Sequence, residues 1–129
     1  MSLVNFVFII IISWAVKYIK KLVFRLMCEF GVGSKWMRGS SIAHNCTISD
    51  KNAGVFIGKN VMIAPNVVIV AFNLGVEKLG ILMPNQKHVE APIIIEDDVW
   101  IGVNCTIGMG IRIEKGAIIG ANSYVNKIY

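Results

Sequence analysis

From Ile42 onward an aliphatic side chain returns at every sixth position: Ile42, Ile48, then, after a slip of three residues, Ile57, Ile63 and Ile69. After a longer break the phase resumes with Ile95, Ile101, Ile107, Ile113, Ile119 and Val125. Between these anchors the second position is usually Gly, Ala, Ser or Glu. The fourth is Asn, Gly, Asp or Lys, with Phe72 the exception, and the fifth is mostly small or β-branched. A six-residue period does not match the 3.6 of an α-helix, and an antiparallel sandwich has no reason to keep so strict a phase. The pattern predicts short strands joined by corners, with the aliphatic residue inward and stacked on its equivalent one turn away. Asn and Gly at position four suit the left-handed backbone that a sharp corner requires. Coils stacked at the usual strand spacing of about 4.8 Å bury their inner faces only against one another, as in other solenoids. The expectation is an all-β parallel coil of three to four turns over residues 42–129.

The chain before this repeat is patterned differently. Leu3 to Val16 carries no charge; as a helix it extends about 21 Å, short of the ~30 Å hydrocarbon core of a bilayer. The following stretch brings Lys17, Lys20, Lys21 and Arg25, with apolar residues at i, i+4 between them. An apolar start with a basic flank suits an anionic membrane surface; a docking helix covering the domain or another subunit is the alternative. Met1–Asn5 lacks the positive charge of a secretory signal. Gly31-Val32-Gly33-Ser34 breaks the helix. The organisation expected is an N-terminal hydrophobic and basic α-helical segment over 1–34 and a repeat domain over 35–129, interrupted by a loop at 71–92.

Composition narrows the function classes. At 129 residues, 55% hydrophobic and 16% charged, the chain has the apolar surface of one folded domain and is not disordered. The net charge of +5 arises before residue 41, where Lys17, Lys20, Lys21, Arg25, Lys35 and Arg38 face only Glu29; the remainder is balanced. The repeat therefore offers no basic footprint for nucleic acid. Cys28, Cys46 and Cys105 stand far apart, which argues against a zinc site and a disulfide framework. Cys46 and Cys105 fall at position five, where a small buried hydrophobe is needed.

Three stretches carry a specific likeness: Ile57-Gly-Lys-Asn-Val-Met-Ile-Ala-Pro-Asn-Val, Pro92-Ile-Ile-Ile-Glu-Asp-Asp-Val-Trp-Ile-Gly-Val-Asn, and Ile119-Gly-Ala-Asn-Ser-Tyr-Val-Asn-Lys. Over about residues 42–129 the chain resembles the hexapeptide-repeat, left-handed β-helix acyltransferases, in particular the O-acetyltransferases of sugars and surface polysaccharides. The resemblance implies a left-handed parallel β-helix, a homotrimer with active sites between subunits, acetyl-CoA as donor, a sugar or surface-glycan intermediate as acceptor, and no metal. It also implies a loop histidine as general base. A sugar hydroxyl is a poor nucleophile at neutral pH, so a base must take its proton while N–H groups hold the developing oxyanion.

Counted from Ala64-Pro65-Asn66 without a gap, the family histidine falls at position 74, which here is Leu74 in Asn73-Leu74-Gly75. Leucine cannot accept a proton, so ordinary catalysis is expected to be severely weakened unless another group substitutes. Of the two histidines, His44 sits at position three of a corner and reads as a solvent-facing turn residue. His88, in Asn85-Gln86-Lys87-His88-Val89, lies in the loop and is the candidate substitute base. On the donor side the resemblance assigns the backbone at Val103, after Trp100-Ile101-Gly102, to the neighbourhood of the acetyl group. It assigns Ala121, Asn126 and Lys127 to the pantetheine and phosphate parts of CoA, and leaves Trp100 as a donor-side residue or a surface plug.

Relatives continue past Val125-Asn126-Lys127 with a further β segment and a cap, so a chain ending at Tyr129 is expected to leave its last coil uncapped for a partner to cover. Two functions follow. One is an acetyl-CoA-dependent O-acyltransferase in the cytoplasm, with residues 3–30 offering attachment to the inner face of the cell membrane. The other is a non-catalytic or truncated relative that keeps the fold and CoA binding. A hexapeptide-repeat carbonic anhydrase is a third possibility, but it needs several histidine ligands that this chain lacks.

Overall fold

The computed structural model describes residues 3–27, 29–31, 33–76 and 78–126. A helix, α1 (Leu3–Met27), opens the chain. Fifteen strands follow: β1 (Glu29–Phe30), β2 (Lys35–Trp36), β3 (Ser41–Ile42), β4 (Thr47–Ser49), β5 (Val55–Ile57), β6 (Met62–Ile63), β7 (Val68–Val70), β8 (Phe72–Leu74), β9 (His88–Glu90), β10 (Ile93–Ile95), β11 (Trp100–Ile101), β12 (Thr106–Ile107), β13 (Arg112–Ile113), β14 (Ile118–Ile119) and β15 (Tyr124–Val125). Thirteen of them build three parallel sheets, β1-β4-β7-β12-β15, β2-β5-β10-β13 and β3-β6-β11-β14. Every third strand returns to the same sheet, apart from the β8–β9 hairpin, so the chain winds around a three-sided parallel coil of four turns.

The six-residue anchors form the core. Ile48, Ile69, Ile107 and Val125 are in register on the first face. Ile57, Ile95 and Ile113 align on the second, and Ile42, Ile63, Ile101 and Ile119 on the third. All are buried. Position-five residues Cys46, Val61, Val67, Val99, Cys105 and Ile111 complete the core. The Cys46 and Cys105 thiols donate to the carbonyls of Ala64 at 3.2 Å and Gly120 at 3.1 Å.

The corners turn where position four predicts. Asn45, Lys51, Asn60, Asn66, Asp98, Asn104 and Asn122 all have φ between 45° and 61°, and Gly110 and Gly116 lie at 72° and 77°. Asparagine is tolerated there because its short polar side chain bonds locally. Asn45 donates to Asn66 at 2.6 Å and Asn104 to Asn122 at 3.2 Å, which links successive turns along one edge.

The winding begins before residue 42. Phe30 and Trp36 occupy the same six-residue phase, Phe30 opposite Ile48 and Trp36 opposite Ile57, and Gly39 takes the position-four corner at φ 81°. This first turn lies against Asp50, whose carboxylate is 1% exposed. Ser34 Oγ donates to Asp50 Oδ2 at 3.3 Å, and Gly31 passes so close that a Cβ there lies 1.7 Å from Oδ1. Helix α1 has 25 residues, about 37 Å, and the apolar side chains described between Leu3 and Ile19, such as Leu3, Val4, Phe8, Ile11, Trp14 and Ile19, are exposed. Among the described residues no helix is long and apolar enough to cross a membrane. The side chains of Lys20, Lys21 and Arg25, the expected basic flank, lie outside the described residues.

Candidate functional site

The loop expected at 71–92 contains a built hairpin. After β7 the chain leaves the coil at Ala71, runs out along β8, passes a 3₁₀ turn (Met83–Asn85), returns along β9 and rejoins the coil at β10. Strands β8 and β9 are antiparallel, with Phe72 opposite Glu90, Asn73 opposite Val89 and Leu74 opposite His88. Gly75 N–H donates to Lys87 O at 2.7 Å, and Ala91 N–H to Ala71 O at 3.0 Å. These bonds make 75–87, 73–89 and 71–91 the hydrogen-bonded pairs, so 74–88 and 72–90 are the non-bonded pairs whose side chains stand closest. Leu74 and His88 therefore leave the same face with Cβ atoms about 5 Å apart. The His88 ring also meets Phe72 edge-on, with centroids 6.1 Å apart. The two positions that the sequence singled out separately, Leu74 and His88, are cross-strand neighbours.

Lys51, at the position-four corner after β4, places its ammonium 4.6 Å from the Phe72 ring centroid. It thus stands beside the same hairpin face. Gln86, 9% exposed, holds the hairpin's far end: its amide nitrogen donates to the carbonyls of Lys78 at 2.9 Å and Ile81 at 3.1 Å. The sequence reading missed Lys51, Phe72 and Gln86. A glutamine directly after the Met83-Pro84-Asn85 turn was the available signal for Gln86; nothing local marked Lys51.

The residues expected on the donor side divide between two edges. Trp100 points outward from β11, half exposed and in register between Met62 and Ile118. Val103 and Ala121 share the next edge as position-three residues of successive turns, joined where Asn122 N–H donates to Val103 O at 2.9 Å. Gly102, Gly120 and Ala121 leave a shelf beside Trp100 without bulky side chains. Gly102 runs so close to the turn above that a Cβ there lies 2.7 Å from Ala121 N. Asn126 is exposed at the following edge, lining a cleft with Phe72, Asn73, Thr106 and Tyr124. Successive edges are six residues apart along the chain, up to about 20 Å. Within one chain, then, Val103 and Ala121 stand at one edge and the hairpin at the next. Lys127 lies outside the described residues. His44 is exposed at its corner. Among the described residues no group of three His, Cys, Asp or Glu side chains is placed to hold a metal ion.

One charged cluster braces the coil at its third edge, between the β5-β10-β13 and β6-β11-β14 faces. Glu96 pairs with the Arg112 guanidinium on the turn above and accepts the Lys115 backbone N–H at 3.0 Å. The Lys115 N–H first, and Arg112 second, hold the Glu96 carboxyl below the ordinary glutamate range. Asp97 accepts the Lys59 N–H of the turn below at 2.8 Å.

Residues 92–127 match a family model described as the hexapeptide repeat of succinyl-transferase. Galactoside O-acetyltransferase from Escherichia coli is 40% identical over 83 residues, which is 64% of this chain and 39% of the relative. A tetrahydropyridine-dicarboxylate N-acetyltransferase from Staphylococcus aureus is 37% identical over 70 residues, covering 54% of this chain and 24% of the relative. Among solved structures, a hexapeptide-repeat acetyltransferase from Vibrio cholerae in complex with acetyl coenzyme A superposes with a TM-score of 0.68 at 30% identity. That alignment covers 78% of this chain and 54% of the other. A maltose O-acetyltransferase from Clostridium difficile gives 0.67 at 30% identity over 78% of this chain and 52% of the other. The chain thus spans about two fifths of the length of the galactoside enzyme and about half of the solved chains.

Proposed function

The chain is a member of the hexapeptide-repeat acyltransferase family, and from that premise we propose that it is an acetyl-CoA-dependent O-acyltransferase acting on a sugar or surface-glycan hydroxyl, with His88 in place of the family base. The observation that carries this reading is the Leu74–His88 pair. An imidazole moved across a non-bonded pair stays on the same hairpin face, about 5 Å from its family position. His88 accepts the acceptor's hydroxyl proton as the oxygen attacks the thioester carbonyl. It returns that proton to the thiolate of coenzyme A as the C–S bond breaks. Val103 and Ala121 present the shelf for the donor's acetyl and pantetheine portions; Trp100, Asn126 and Lys127 complete the proposed donor set. The coil is taken as left-handed, as the resemblance implies, and the separation of shelf and hairpin within one chain supports its assembly as a homotrimer, in which the hairpin of one copy meets the shelf of its neighbour. The complex of the Vibrio cholerae protein with acetyl coenzyme A supports the donor.

The experiment is acetyl transfer from acetyl-CoA to methyl galactoside and to maltose, in the full chain and in His88→Ala. Activity that survives His88→Ala refutes the relocated base. The second reading, a subunit that keeps CoA binding without turnover, is favoured by Leu74; it predicts acetyl-CoA binding by calorimetry with a silent transfer assay. The exposed apolar helix α1 further supports attachment of residues 3–30 to the inner face of the cell membrane, in the cytoplasm. The full chain is expected to bind anionic vesicles more strongly than neutral ones, and equal binding to both sinks that assignment.

A further inference from the structure

The far end of the hairpin borders a cavity of about 450 Å³ that the proposed chemistry does not use. Its walls include Lys78, Asn85, Lys87, His88 and Glu90. Gln86 builds it, because the two bonds from its buried amide to Lys78 O and Ile81 O pin the 78–81 segment beside the 3₁₀ turn. The register adds a directional feature. Residues 87 and 89 spend their backbone groups on β8, so the N–H of His88 points to the free edge of β9. Glu90 is the one carboxylate among the described lining residues; Glu77, beside Lys78, lies outside them. Lys78, Lys87 and His88 thus line one cavity, beside the edge of β9 to which the His88 N–H points.

We propose that this cavity selects the acceptor: it takes an anionic substituent, the phosphate or carboxylate of a charged sugar, between Lys78, Lys87 and the His88 N–H, and so presents a neighbouring hydroxyl to the His88 imidazole. The inference rests on the acyl-transfer reading for the fate of that hydroxyl, but its binding claim stands apart from turnover. Lysine suits the task as a mobile point charge for phosphate. The loss of one lysine should weaken anion binding by about tenfold.

The test is calorimetric titration of the full chain with galactose 1-phosphate, galacturonate, galactose and inorganic phosphate, repeated in Lys78→Gln and Lys87→Gln. The expected result is that galactose 1-phosphate binds at least tenfold more tightly than galactose. Each substitution should remove most of that preference, with circular dichroism and acetyl-CoA binding unchanged. Inorganic phosphate should bind more weakly than the sugar phosphate and compete with it. Equal affinity for charged and neutral sugars overturns the proposal, as does a preference that survives both substitutions. Inorganic phosphate binding as tightly as the sugar phosphate also overturns it, because the site then reads the anion and not the sugar. If the binding preference holds and no acceptor is acetylated, the acyl-transfer reading fails and the cavity assignment stands; if neutral sugars are acetylated and charged ones neither bind nor react, the reverse is true.

Discussion

Exchanging Leu74 and His88 is the sharpest perturbation the hairpin offers. The two residues form a non-hydrogen-bonded cross-strand pair, so Leu74→His combined with His88→Leu returns the imidazole to the family position and keeps a leucine beside it. The structural cost is small. Leu74 is 38% exposed, so about 1–2 kcal/mol of its burial is at stake in the single Leu74→His change, and the exchange restores an apolar partner. The catalytic effect is larger, since a general base contributes about 10²–10⁴-fold, or roughly 3–5 kcal/mol of barrier. His88→Ala alone should therefore lower kcat/KM for acetyl transfer by about 10²–10⁴-fold while thermal unfolding changes little. Leu74→His alone should raise the rate above the parent, and the exchanged pair should recover activity lost in His88→Ala. The assay is steady-state release of coenzyme A with a thiol reagent, paired with a melting curve for each variant. An exchanged pair as inactive as His88→Ala, while still folded and binding acetyl-CoA, refutes the argument that the imidazole's place on this face is what matters.

Other consequences can be measured independently of turnover. Gly31→Ala puts a Cβ 1.7 Å from Asp50 Oδ1 and 2.9 Å from Asp50 N; it should destabilise the chain by about 1–3 kcal/mol through forced displacement, read as a lower Tm, and adding Asp50→Ala should recover part of the loss. Asn104→Ala should cost about 1–2 kcal/mol for its left-handed backbone at φ 57°, whereas Asn104→Gly should cost less, so equal effects in chemical denaturation contradict the corner argument. For Glu96, whose folded carboxyl is held below its ordinary range by the Lys115 N–H and Arg112, the stabilisation is present above the unfolded glutamate pKa and is lost as pH falls through the folded one. Acidification should accordingly lower the Tm of the parent more than that of Glu96→Gln, and parallel Tm profiles would show that the pair contributes nothing.

The periodic part of the molecule was legible because one residue class repeats at one spacing and each repeat solves the same local problem. Ile57, Ile63, Ile95 and Ile101 could be assigned inward, and Asn60, Asn66 and Asn104 to corners, from single units. The onset was harder to read. Phe30 and Trp36 keep the phase, but they are aromatic and follow a helix, so an aliphatic pattern does not include them. Asp50 reads as an exposed corner residue, since its burial depends on Gly31 and Ser34 from the preceding turn. The hairpin was illegible for a different reason. Its pairing joins Leu74 to His88 across a connection with no repeating pattern, and register there is set by Gln86 bonds and the 3₁₀ turn. The positions 74 and 88 were each identifiable from the sequence; that they face one another was not.

The coil closes beneath the hairpin as if nothing had been inserted. Ile93, Ile94 and Ile95 pair in register with Val55, Phe56 and Ile57, and the two ends of the excursion meet where Ala91 N–H bonds to Ala71 O. Chain length between residues 71 and 91 is thus free to drift without shifting any buried isoleucine. Selection on what the protein recognises and selection on whether it folds act on different residues. A segment of another length or sequence, joined at the same two alanines, would inherit a finished foundation, and the acceptor preference of one such protein should be transferable to another by exchanging about twenty contiguous residues, within the length of loop that surface insertions tolerate.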